Sequence, residues 1–118
     1  METFTRTING NEYFFICRYH RTRVAFAHSA TVYKNQSYIR SERVNYLNRT
    51  WESYTYQTVI KNAVWMMLQE VINNLKAAFK TANGYKILTA SRRETFEAWK
   101  NEQPQYKEVR ELLESFRD

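Results

Sequence analysis

Hydrophobic and polar residues alternate along the first half of the chain, and the repeat lengthens near Thr50. Successive side chains of a β-strand point to opposite faces, so alternation predicts strands with one buried face. We predict strands over residues 3–8, 11–19, 23–34 and 37–47. Asn9 and Gly10 are a typical two-residue hairpin turn between the first two strands. The second strand is apolar on both faces over residues 13–17, which predicts a central place in the sheet.

Apolar residues recur every three or four positions after Thr50, which predicts an amphipathic helix over residues 52–82. Its stripe consists of Ile60, Val64, Met67, Val71, Leu75 and Ala78, and is widened by Leu68, Ile72 and Phe79. At 1.5 Å per residue this helix is about 45 Å long, more than four short strands can cover. Trp65 and Met66 lie beside the stripe. The helix is therefore either buried against two elements or offers a face to a partner.

Sequence signals in the C-terminal third predict two short helices. Ser91 and Glu94 have capping-box spacing ahead of a helix through Phe96 and Trp99, and Pro104 suits the first turn of another. The buried face of the last helix is predicted to carry Tyr106, Val109, Leu113 and Phe116. The solvated face is predicted to carry Lys107, Glu108, Arg110, Glu111 and Glu114. The predicted fold is α+β, a single domain over residues 1–118, with an N-terminal antiparallel sheet packed on one long helix and two short C-terminal helices.

Composition argues against several classes of enzyme. Asp118 is the only aspartate, so no aspartate cluster can gather around Mg²⁺ as metal-dependent phosphoryl transfer usually requires. Gly10 and Gly84 are the only glycines, too few for a glycine-rich phosphate loop. The single Cys17 cannot form an internal disulfide or a cysteine zinc site. We expect a protein that is not an enzyme and that needs no metal or cofactor.

The distribution of apolar residues bears on location. The N-terminus has no apolar stretch of signal-peptide length, and eighteen apolar residues never run together. Neither export nor membrane spanning is expected on that basis, and a cytoplasmic location fits the single cysteine.

Positive charge is concentrated in the predicted sheet. The whole chain has 18 basic and 12 acidic residues, and residues 13–49 have seven basic residues against Glu42 alone. Such a surface attracts phosphate backbones or acidic proteins. Tyrosine stacks on bases, but tyrosine and arginine are also favoured at protein interfaces. Both partners stay open for the candidate binding residues, which are Arg18, Tyr19, Arg21, Arg23, Tyr38, Arg40 and Arg43.

His20 and His28 stand near arginines and a tyrosine, a set that could cleave RNA by acid–base catalysis. The spacing from Arg23 to His28 resembles the arginine, four-residue gap and histidine of the HEPN ribonucleases, a helical family. That resemblance implies a role for both residues in RNA cleavage. On a strand, however, residues five apart point to opposite faces. A small basic ribonuclease is kept as one alternative.

Residues 46–59, with sequence YLNRTWESYTYQTV, lead from the sheet into the long helix. This segment resembles the strand-to-helix junction of small accessory proteins encoded by phages and mobile elements, among them anti-CRISPR and other counter-defence inhibitors. The resemblance implies a non-enzymatic inhibitor that docks on a host protein or ribonucleoprotein complex handling nucleic acid, in a bacterial cytoplasm. Inhibitors that mimic DNA are acidic, and the net charge of +6 departs from them. Direct nucleic-acid binding is the first alternative, and a homodimer through the long helix is also kept open.

Overall fold

The computed structural model describes residues 1–21, 23, 25–46, 56–82 and 90–116. The strands are β1 (Glu2–Ile8), β2 (Asn11–Arg21), β3 (Phe26–Lys34) and β4 (Ser37–Tyr46), and the helices are α1 (Tyr56–Ala82), α2 (Ala90–Glu102) and α3 (Pro104–Glu114). The strands form one antiparallel sheet in the order β1-β2-β3-β4. The predicted α+β fold is confirmed, with β2 inside the sheet as its two apolar faces indicated.

Two short turns set the order of the strands. The predicted turn at Asn9 and Gly10 has φ values of 52° and 80° and joins β1 to β2. A second turn at Asn35 and Gln36, with φ values of 49° and 71°, joins β3 to β4 in the two-residue gap between the predicted strands. Positive φ at both central residues matches the twist of antiparallel strands. These two-residue turns pair β1 with β2 and β3 with β4, and the pairing of β2 with β3 completes the order.

The helices cover one face of the sheet. Tyr13, Phe15 and Cys17 of β2 are buried on this face, beside Ala30 and Val32 of β3. The core is completed by residues of α1, α2 and α3, among them Ile60, Val64, Met67, Leu75, Phe79, Phe96, Val109 and Leu112. Side chains of the opposite parity point away from this core. We call that side the open face, because none of the described helices packs on it.

α1 packs on the sheet and on both other helices, as expected for a helix buried against more than one element. Trp65 and Met66 nevertheless stay 51% and 38% exposed. The predicted burial of Ala78 is wrong, since Ala78 is exposed. Phe79 is the buried residue, and its ring lies 5.3 Å from Phe96 and 5.5 Å from Trp99. None of the described helices is both long and apolar enough to cross a membrane.

α3 begins at Pro104 as predicted, but two of its side chains differ from expectation. Leu112 is fully buried and Leu113 only partly, because the buried side of α3 is turned toward Glu108 and Val109, which lie four and three residues before Leu112 on the same helix face. Glu108 was expected in solvent, and that is wrong: it is only 8% exposed. Phe116 closes the core after α3, with its ring edge-on to Phe15 at 5.1 Å.

Some predicted boundaries moved and some fall outside the described residues. β2 extends to Arg21, and β3 begins at Phe26 rather than at Arg23, which lies in a bend between the strands. Residues 47–55 and 83–89 lie outside the described ranges, and so do the side chains of the predicted capping box at Ser91 and Glu94. Most of the segment that resembles phage accessory proteins is therefore not described.

Candidate binding surface on the open face of the sheet

Three aromatic side chains form a row across the open face. Phe14, Tyr33 and Tyr38 occupy one rung of β2, β3 and β4. The ring centroids of Phe14 and Tyr33 are 6.4 Å apart, and those of Tyr33 and Tyr38 are 6.0 Å apart. Tyr38 is 60% exposed, while Phe14 and Tyr33 are partly buried. We call these three residues the aromatic row.

Two arginines form a second rung of the same face. Arg18 and Arg43 flank Ser29, so two inter-strand spacings separate them, about 10 Å at about 4.8 Å each. This cation row lies four residues along β2 from the aromatic row, about 13 Å at about 3.3 Å per residue. Arg43 Nε donates to Asn45 Oδ1 at 2.9 Å. Within the described ranges neither arginine forms an ion pair.

The strip between the two rows is neutral. Ile16 lies there, and the Thr31 and Ser41 hydroxyl oxygens are 3.1 Å apart. Tyr38 Oη donates to Ser41 Oγ at 3.2 Å, which ties the aromatic row to this strip. A shallow groove of about 230 Å³ lies beside the aromatic row, on the side of the hairpin turns, and is lined by Glu12, Phe14, Ile16, Tyr33 and Gln36. The face thus combines aromatic rings, hydroxyls and two arginines without an ion-pair partner among the described residues.

The seven candidate residues from the sequence divide between the two sides of the sheet. Arg18, Tyr38 and Arg43 are on the open face, as strand parity and register require. The others do not join them: Tyr19, Arg21 and Arg40 have the opposite parity, and Arg23 is exposed in the bend.

The candidates on the helix side are engaged in local contacts. The ring of Tyr19 lies 6.4 Å from that of Phe26, and the guanidinium of Arg21 lies 5.8 Å from the same ring. Arg40 pairs with the carboxylates of Glu42 at 2.9 Å and Glu70 at 3.4 Å. These residues therefore do not extend the open face.

The two histidines do not share a site. His20 is on the open face, with Nε2 2.8 Å from Ser29 Oγ. His28 is buried on the opposite face, between the rings of Tyr19 at 5.5 Å and Tyr56 at 5.1 Å. Burial, together with the charge of His20, lowers the pKa of His28. The two imidazoles therefore cannot act on opposite sides of one phosphate, which acid–base cleavage by this pair requires.

The candidate residues from the sequence do not include Phe14, Ile16 and Tyr33, which the structure places on the open face. The signal was present in residues 13–17, where both parities are apolar. From the sequence, that run is only the sign of a central strand, which does not tell whether the second face is covered. In a sheet with helices on one side only, the same run leaves one apolar parity on the open face.

A buried carboxylate cluster lies on the helix side of the sheet. Glu108 of α3 accepts a hydrogen bond from the Tyr13 hydroxyl and another from Asn11 Nδ2 at 2.5 Å. Lys34 Nζ lies 3.2 Å from the same carboxylate, and Asn35 Nδ2 donates to Asn11 Oδ1 at 3.0 Å. The cluster joins α3 to both hairpin ends, and three donors already occupy the carboxylate.

The contacts of Glu108 shift the ionisation of two groups. Burial disfavours its charged form, but hydrogen bonds from Tyr13, Asn11 and Lys34 and the Lys34 charge outweigh this, so the pKa of Glu108 is lowered. Burial and the adjacent carboxylate raise the pKa of Tyr13 well above its usual value. Glu108 is thus ionised at neutral pH, and its carboxylate links α3 to β2 and β3.

Comparison with models of protein families, with curated proteins and with solved structures gives no match to this chain. Within the described ranges, no three His, Cys, Asp or Glu side chains converge as ligands of a metal ion. The candidate binding surface is therefore argued only from the positions and contacts of its own residues.

Proposed function

We propose that this protein binds single-stranded nucleic acid on the open face of its sheet, without cutting it. The observation that carries the proposal is the aromatic row and the cation row on one face, about 13 Å apart at about 3.3 Å per residue. Bases stack on exposed rings with about 1–3 kcal/mol each, and arginines hold the phosphates. The net charge of +6 adds long-range attraction.

A single strand fits this face better than a duplex does. The bases of a duplex are stacked on one another inside it, so flat rings on a sheet cannot reach their faces, whereas unpaired bases expose theirs. The hydroxyls of Thr31 and Ser41 between the rows can meet sugar or base edges. The proposal therefore covers unpaired RNA or DNA with little sequence preference.

The cation row is tested by double substitution. We expect Arg18→Gln with Arg43→Gln to weaken binding of a labelled single-stranded oligonucleotide in fluorescence anisotropy. Two lost phosphate contacts should lower the slope of log affinity against log salt by about 1.4, at about 0.7 per contact for single strands. Arg21→Gln with Lys107→Gln removes the same charge elsewhere and should change the slope less. An equal change in both double variants would overturn the assignment.

The aromatic row has its own test. Tyr33→Ala or Tyr38→Ala should weaken binding by roughly fivefold or more, the lower end of base stacking at about 1 kcal/mol. Tyr19→Ala removes an exposed ring on the other side of the sheet and serves as the matched control. If the open-face variants bind as tightly as the parent chain, the aromatic row does not bind the oligonucleotide.

Cleavage of the oligonucleotide by the purified protein would contradict binding without cutting and would favour the nuclease alternative.

The inhibitor interpretation is supported by a different feature, the exposed pair on α1. Trp65 and Met66 are adjacent large apolar side chains that stay 51% and 38% exposed, and tryptophan is the residue type most enriched where binding energy concentrates. In this second proposal α1 docks on a protein complex that handles nucleic acid. Trp65→Ala should then weaken binding to the purified complex at least tenfold and leave oligonucleotide binding unchanged. Unchanged complex binding would exclude α1 as the docking element.

A further inference from the structure

β1 forms an edge of the sheet and is regular along its whole length. It pairs with β2 without interruption from Glu2, opposite Cys17, to Ile8, opposite Asn11. None of the described strands pairs with its other side. A regular unpaired edge is a template for another strand.

The turn determines which backbone groups of β1 face outward. In a two-residue hairpin the flanking residues, here Ile8 and Asn11, form a hydrogen-bonded pair. Alternate residues counted back from Ile8 also direct their backbone groups to β2. The N–H and C=O groups that point to the free edge belong to Thr3, Thr5 and Thr7. In agreement, the Thr5 carbonyl accepts a hydrogen bond from Arg6 Nη1 at 3.0 Å.

The opposite edge of the sheet is less suited to pairing. β4 has a register shift opposite Val32 and Tyr33, where one extra residue interrupts the ladder. It also carries Arg40 and Arg43. Bulges and charged side chains are features that keep sheet edges unpaired. β1 has no register shift, and its two charged residues, Glu2 and Arg6, have opposite signs.

We propose that two copies of this chain pair through β1, antiparallel, about a twofold axis at Phe4. Thr3 of each copy then lies opposite Thr5 of the other, and their outward backbone groups form the ladder. Phe4 meets Phe4 of the second copy, and Glu2 lies opposite Arg6. The strand is self-complementary in this register: two opposite-charge pairs flank one aromatic pair.

The neighbouring register fits less well. Placing Thr5 opposite Thr5 keeps the same backbone groups in the ladder but puts Phe4 opposite Arg6 and Glu2 opposite Ile8. Glu2 then loses its cationic partner. In the proposed register the Arg6 guanidinium leaves the Thr5 carbonyl, which enters the ladder, and moves to Glu2 of the other copy. Opposite charges directly across a strand pair stabilise it.

The dimer has one continuous sheet of eight strands, twice the four of a single chain. Both sets of helices lie on one side, because Phe4 and its equivalent occupy the same face. The two open faces then adjoin on the other side. The inference that the dimer doubles the nucleic-acid-binding surface rests on the proposed function. The dimer itself is inferred from the β1 edge alone.

The dimer is tested by mass measurement over a concentration series, without nucleic acid. The full chain should approach twice its own mass, and Thr5→Pro should lose the dimer while its circular dichroism stays that of the parent. Proline is tolerated there because the Thr5 N–H points away from β2, but it removes a donor from the ladder. Ser41→Pro is the matched control on the β4 edge and should still dimerise. A monomer at every concentration, or a dimer that survives Thr5→Pro, would overturn the proposal.

Crosslinking tests the register. At a pair outside the hydrogen-bonded rungs the Cα atoms are about 4.5 Å apart, within the span of a disulfide. Phe4→Cys should therefore form a covalent dimer on oxidation, while the buried Cys17 stays free. Crosslinking by Thr5→Cys but not Phe4→Cys would refute the register. A dimer that dissociates on Trp65→Ala but not on Thr5→Pro would place the interface on α1.

Discussion

Individual residues in this chain gain their roles from contacts far along the sequence. Glu108 and Tyr13 are separated by 95 positions, yet their side chains form a hydrogen bond in the core. An unpaired carboxylate in that position would be strongly destabilising. Ionised Glu108 is compatible with burial because Tyr13, Asn11 and Lys34 all direct donors at it.

Replacing this carboxylate should cost stability in a pH-dependent way. A glutamine has one acceptor oxygen for three donors and brings two hydrogens of its own, so Glu108→Gln should lower the free energy of unfolding by about 1–3 kcal/mol at neutral pH. The folded-state pKa of Glu108 lies below the usual 4.5, so its contribution is present above that value and is lost as the pH falls through the folded pKa. Urea denaturation between neutral and acid pH measures both effects.

Glu111→Gln is the control for this prediction, since Glu111 is exposed on the same helix. It should change the free energy of unfolding little at any pH. A difference between Glu108→Gln and the parent chain that does not shrink in acid would mean that ionisation of Glu108 contributes nothing.

At the scale of elements, short turns and one apolar stripe build the architecture. The two hairpins are fixed by pairs of residues with positive φ, Asn9 with Gly10 and Asn35 with Gln36. Glycine adopts such a conformation at little cost, whereas a residue with a Cβ is strained there. Gln36, with a Cβ and a φ of 71°, is therefore a strained residue of the β3–β4 turn.

Gln36→Gly should raise the free energy of unfolding by about 1 kcal/mol, since it removes this strain. Gln36→Ala keeps the Cβ and should be close to neutral, which makes it the matched control. Gly10→Ala should lower stability by about 1 kcal/mol, from backbone strain alone, because an added Cβ would meet nothing within 4 Å. Thermal or urea unfolding of the three variants measures these changes. A Gln36→Gly variant less stable than Gln36→Ala would contradict the strain argument.

At the scale of the whole molecule, the helical layer contacts both edge strands of the sheet. The Arg6 guanidinium lies 4.2 Å from the Phe116 ring, next to α3. At the other side of the sheet, Arg40 of β4 pairs with Glu70 of α1. Contacts between distant elements of this kind favour unfolding in one cooperative step.

We predict that all parts of the chain unfold together in urea. Circular dichroism, tryptophan fluorescence and alkylation of Cys17 should give coincident transitions. Cys17 is a suitable probe because it is buried, and burial with the charge of Glu2 raises its pKa to about 11, so it reacts only after opening. Ser41→Ala, at an exposed site, should leave the coincidence unchanged. An earlier fluorescence transition would show that part of the molecule unfolds separately.

Local patterns were sufficient to predict the elements and their order. Each of the signals used lies within a few residues, so single-sequence reasoning can detect it. The signals are the alternation in the strands, the turn at Asn9 and Gly10, the change of period near Thr50, and the helix start at Pro104. The meander follows, because neighbouring strands joined by short connections pair with each other. The α+β architecture was therefore predictable, apart from boundaries such as the start of β3 at Phe26.

The candidate site was predicted only in part, because it depends on which side of the sheet the helices cover. Alternation separates Arg18 and Tyr38 from Tyr19 and Arg40 but does not say which set faces solvent. Packing of α1 and α3 against Phe15 leaves the first set on the open face and places the second on the helix side, where Tyr19 stays 41% exposed. The same packing buries Glu108, which the sequence places on the solvated face of α3, against Asn11, Tyr13 and Lys34 of the sheet. Both outcomes arise from contacts between residues distant in sequence, which no local pattern encodes.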